Sequence, residues 1–120
     1  MQKLLILLCT LCIGCVPQLL TRALDSSYKH MTPIVGQSYL ECINGECTGN
    51  CVAYTLYHRK FLSDHSEIYK YKLVIVWTEN KIKHMILEVD TIEDGIWYLD
   101  NRYKWPMRRE ELINKGYIFR

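Results

Sequence analysis

At 120 residues the chain has room for one domain and not two, and its net charge of +2 comes from interspersed Lys, Arg, Asp and Glu, which excludes the one-sign basic block of a nucleic-acid surface. Six cysteines in so short a chain would describe a disulfide scaffold, but they divide by position. Cys9 and Cys12 lie in an N-terminal apolar run and Cys15 ends it, so only Cys42, Cys47 and Cys51 are left for a folded body.

Met1-Gln2-Lys3 gives a short basic start, and Leu4 to Gly14 is an uncharged apolar run of the length of a signal-peptide core, so export is expected. Cys12-Ile13-Gly14-Cys15 resembles a bacterial lipoprotein processing box, which makes Cys15 the lipidation candidate. Cleavage further on, for example after Ala23, or retention as a membrane anchor are the alternatives. The expected layout is a signal peptide or lipoprotein signal at 1–14, a tether running irregularly into the domain at 15–38, and the domain itself at 39–120. The expected location is a bacterial envelope, either periplasmic or held to the membrane by a lipid anchor.

Leu40 to Asn50 carries two Gly and two Asn residues around a cysteine pair and describes a loop. In an oxidising compartment Cys42 and Cys47 are disulfide candidates, closing a short loop and leaving Cys51 free. From Cys51 to Leu62 a helical wheel puts Val52, Ala53, Leu56, Tyr57 and Phe61 on an apolar arc and Thr55, His58 and Arg59 opposite, predicting a mostly buried helix. Asn50 is the N-cap candidate, which sets Cys51 in the first turn beside unpaired N–H groups. Lys72 to Thr78, Ile82 to Val89 and Ile96 to Asp100 read as three strands of an antiparallel meander. Met107 to Asn114 reads as a short helix stopped by Gly116, and Tyr117 to Phe119 as a last strand. The fold class is α+β, one helix carrying the cysteine packed on a small antiparallel sheet.

This order of elements places three reactive groups in sequence. Cys51 opens a helix, His84 stands near the start of one strand, and Asp100 ends the strand that would pair with it. A thiol attacks a carbonyl carbon as thiolate, so it needs a base and a group that orients the base. Cys51 is the candidate nucleophile, His84 the base and Asp100 the orienter. The Cys51 N–H is a natural oxyanion donor, with Gln37, Tyr39 and Asn101 as oxyanion or support candidates. Trp105 is the substrate-groove candidate, while Trp77 reads as sheet packing. His30, His58 and His65 are expected to be solvated. Cys42, Cys47 and Cys51 with His84 offer zinc donors, but not at the tight spacing of structural zinc sites, so neither a metal nor a cofactor is expected.

Gly49-Asn50-Cys51-Val52-Ala53-Tyr54, His84-Met85-Ile86-Leu87-Glu88-Val89 and Trp97-Tyr98-Leu99-Asp100-Asn101 together resemble the bacterial transglutaminase-like cysteine proteinases of the papain-like superfamily. The resemblance spans about residues 49–103. It implies a papain/transglutaminase-like fold and a thiol protease whose catalytic residues are Cys51, His84 and Asp100. Members often flank the nucleophile with acidic residues tied to calcium; Asn50 and Val52 stand there instead, so no calcium site is implied. The expected function is hydrolysis of peptide or amide bonds through an acyl-thioester, with a protein or peptide substrate. The alternatives are a non-catalytic envelope lipoprotein of immunity or exclusion type, which binds a protein partner, and an NlpC/P60-type peptidoglycan amidase.

Overall fold

The computed structural model describes residues 16–31, 51–65 and 68–119. The signal segment expected at 1–14, Cys15, Gln37, Tyr39, Cys42, Cys47 and the N-cap candidate Asn50 lie outside the described residues. Among the described residues no helix is long and apolar enough to cross a membrane.

The first described element corrects the expectation of an irregular tether: residues 16–31 form a helix, α1. Val16, Leu19, Leu20, Ala23 and Leu24 are almost wholly buried, and their spacing of three and four is that of one helical stripe. They form the larger core together with Leu62, Leu87, Val89 and Leu99. A cut after Ala23 would remove four of those side chains, so the segment belongs to the fold that it was expected only to lead into.

The cysteine-bearing helix α2 spans Cys51–Leu62, as the periodicity predicts, but it is rotated about its axis. Its buried residues are Cys51, Tyr54, Thr55, His58 and Leu62, whereas Val52 and Leu56, from the expected buried arc, are 45% and 40% exposed. Strands β1 (Ile68–Trp77), β2 (Lys83–Thr91) and β3 (Gly95–Leu99) make the expected meander, and helix α3 (Arg109–Asn114) leads to β4 (Ile118–Phe119). The sheet order is β3-β2-β1-β4, antiparallel at every pairing.

Both faces of the sheet are covered along its central strand, which explains why β2 is buried at nearly every second residue on each side rather than on one side only. α1 and α2 cover one face. On the other, Val76, Ile86 and Tyr98 pack with Met107, Leu112 and Tyr117 from the C-terminal segment. That segment turns sharply at Gly116, where φ is +99° and an added Cβ would stand 2.8 Å from the Glu79 Cβ. Only glycine fits both the backbone angle and the close approach, and the turn it permits brings Tyr117 into the interior.

Candidate active site

α2 begins at Cys51, so the N–H of this candidate nucleophile is one of the first-turn donors that have no partner within the helix. The side chain is 6% exposed and the thiol is free. What seats it is β2, which runs beyond its neighbour: the last register pair with β3 is Leu87 with Leu99, and Met85 lies past that end. There side chains of α2 take the place of a strand. The Met85 N–H donates to Cys51 Sγ at 3.4 Å, and Thr55 Oγ1 donates to the Met85 carbonyl at 3.2 Å.

The β2–β3 hairpin brings His84 to Asp100 as its register predicts. His84 Nε2 and Asp100 Oδ1 are 2.6 Å apart, and both side chains are buried. Asp100 is a carboxylate with three donors. Oδ1 accepts from His84 and from the Arg102 N–H at 2.9 Å, while Oδ2 accepts from the Tyr117 hydroxyl. Tyr117 is held in turn: Arg102 Nη1 donates to its oxygen at 2.8 Å, and the same guanidinium grips Glu79 with both of its outer nitrogens. Asn101, a support candidate, is buried beside Asp100. Its carbonyl accepts from the Tyr28 hydroxyl of α1 at 2.8 Å, tying the first helix to the turn that carries the carboxylate.

The electrostatics follow from these contacts. Burial opposes charge on Asp100, but the His84 charge, the His84 and Tyr117 hydrogen bonds and the Arg102 N–H together hold it below the usual carboxylate range. Burial likewise opposes charge on His84, yet the Asp100 charge and hydrogen bond, aided by the Cys51 sulfur, push its pKa up to about 9. Burial would raise the Cys51 thiol. Interaction with the His84 ring, the Met85 N–H and the charge on His84 outweigh that and carry it below its ordinary value. Both shifts favour thiolate beside imidazolium over two neutral groups. With Asp100 accepting from Nε2, Nδ1 is the nitrogen left for the sulfur. It is buried without an aligned hydrogen-bond partner, so the thiol interacts with the ring without the geometry of an ordinary hydrogen bond.

A cavity of about 270 Å³ opens at this point, lined by Cys51, Val52, Ile75, Lys83, His84 and Met85. A larger hollow of about 450 Å³ lies along Pro17, Gln18, Thr21 and Arg22 and holds no nucleophile. Trp105, the groove candidate, is 52% exposed and does not line the cavity at Cys51.

His58 is a further correction. Expected in solvent, it is fully buried two turns along α2 from Cys51, and its Nε2 lies 2.8 Å from Ser27 Oγ. The Ser27 hydroxyl gives its single hydrogen to the Leu24 carbonyl at 2.7 Å, so His58 Nε2 must be the donor and Nδ1 the bare nitrogen. Among the described residues, those that sequence reasoning missed are Thr55, Tyr117, Arg102 and Glu79. A threonine inside a helix and an arginine after Asp100-Asn101 gave no pattern by which to find them. Comparisons with protein-family models, with curated proteins and with solved structures found no match.

Proposed function

We propose that this chain is a cysteine hydrolase of the papain/transglutaminase-like kind, acting on peptide or amide bonds through a thioester on Cys51. The observation that carries the reading is the buried His84–Asp100 pair at 2.6 Å beside a free thiol whose pKa is drawn down by the same imidazole. In the proposed reaction the Cys51 thiolate attacks the carbonyl carbon and a C–S bond forms. The C–N bond breaks as His84 gives its Nδ1 proton to the leaving amine. Water, deprotonated by His84, then opens the thioester, releasing the acid and restoring the thiol. The Cys51 N–H is the first oxyanion donor. Asp100 stays ionised and keeps the imidazole in its orientation. Val52, Ile75 and Met85 give the cavity apolar walls, which favours an acyl group carrying an apolar side chain.

The location that goes with this reading is a bacterial envelope, and its support is the Leu4 to Gly14 run with Cys15. The test is to incubate the chain with a panel of peptidyl aminocoumarins and with activated peptide esters, following fluorophore release and intact mass. The reading predicts an acyl mass increment on Cys51 that decays in water and is absent in Cys51→Ala. No increment and no release across the panel, with the thiol reacting as an unperturbed one, would favour the binding-protein alternative.

A further inference from the structure

We propose that Thr55 is a positioning residue for Cys51: its hydroxyl, anchored on the Met85 carbonyl, fixes the height and rotation of α2 on the open edge of β2 and so holds the sulfur beside the His84 ring. The inference rests on the cysteine-hydrolase reading and names what sets its geometry.

Three observations carry it. Thr55 is 2% exposed and lies one turn from Cys51 on the buried stripe, where a β-branched residue weakens a helix slightly and a buried hydroxyl must find a partner. A threonine within a helix commonly turns its hydroxyl back to the carbonyl four residues earlier. Here it crosses instead to Met85, thirty positions along the chain, at 3.2 Å. Lastly, the N–H of that same Met85 is the group that donates to Cys51 Sγ at 3.4 Å. One backbone residue beyond the end of β3 therefore receives both side chains of an i, i+4 pair, and it immediately follows His84 in β2. A helix docked through two such points cannot slide or roll without moving the sulfur relative to the imidazole. The polar face presented inward by α2, which contradicts its apolar arc, thus has a purpose.

The test is the pH dependence of Cys51 alkylation by iodoacetamide from pH 5 to 10 in the full chain, with far-UV circular dichroism and thermal unfolding confirming the fold. Thr55→Val keeps the shape and removes the hydroxyl. The labelling midpoint is expected to rise by about one pH unit, with labelling at pH 7 about tenfold slower. Thr55→Ser, which restores the hydroxyl, is expected to stay within about twofold of the parent, a rescue that packing alone would not give. If Thr55→Val does not fold, Thr55→Ala is judged by the same threshold. A parental profile in the hydroxyl-less variant, or a Thr55→Ser profile as slow as Thr55→Val, overturns the inference. His84→Ala, measured alongside, separates the two levels. If it slows labelling while loss of the hydroxyl does not, the inference alone fails; if it too labels as the parent, the cysteine–histidine reading fails with it.

Discussion

Two buried histidines on neighbouring elements have opposite fates. His84 on β2 faces a carboxylate, and His58 on α2 faces a serine hydroxyl. Desolvation is the largest influence on both and in each case favours the neutral ring. Only His84 has an anion in contact to reverse it, and its pKa goes up to about 9, whereas that of His58 falls to about 3 despite a weak pull from Asp100. The lesson is that depth of burial sets how costly a charge is, and the partner decides whether the charge forms. The first arrangement can move a proton at neutral pH. The second can only join two helices, with its Nδ1 bare in the interior.

The largest effect comes from removing the anion that sets the two apart. Asp100→Asn is expected to bring the His84 pKa down toward its ordinary range, to slow acyl transfer by about 10³ to 10⁴ fold, and to cost about 3 kcal/mol or more in urea unfolding. Acid titration of stability is the next test. The folded value for His58 lies below its ordinary 6.5, so as pH falls the unfolded chain takes the proton first. Its contribution is full above about 6.5 and drains away toward about 3, a loss of about 5 kcal/mol by the acid end. His58→Leu should flatten that part of the profile. His84 runs the other way: its raised value adds stability below the ordinary 6.5 that is lost as pH rises through about 9.

Smaller effects follow. Ser27→Ala strands the buried His58 N–H, and calorimetry should show a loss of about 1 to 3 kcal/mol with labelling of Cys51 unchanged. Tyr117→Phe removes one of three donors to Asp100 while keeping the ring that meets His84 edge-on at 6.3 Å. It should cost about 1 to 2 kcal/mol by the same method.

How much of this was legible in the sequence depends on whether a side chain obeys or breaks the apolar pattern of its element. The bounds of α2 and the hairpin that joins His84 to Asp100 follow from Gly49-Asn50 and from strand spacing, and the structure agrees with both. The roll of α2 was hidden because its inward face carries Cys51, Thr55 and His58 while Val52 and Leu56 lie outward. An amphipathic wheel reverses inside and outside wherever a site requires polar groups in the interior. α1 was hidden for another reason. Its stripe at Val16, Leu19, Leu20, Ala23 and Leu24 follows directly on the apolar Leu4 to Gly14 run, which masks the period. The line from Asp100 through Tyr117 and Arg102 to Glu79 joins residues distant in the chain by contacts that no local spacing records.

The most direct measurement is an NMR titration of the imidazole nitrogens in chain labelled at histidine with nitrogen-15. The account predicts that His84 remains protonated at pH 8 and titrates near 9, while His58 is still neutral at pH 5 with its proton on Nε2. A His84 midpoint at or below the ordinary 6.5 would mean that no carboxylate holds its charge, and the paired thiolate, with the chemistry built on it, would be contradicted.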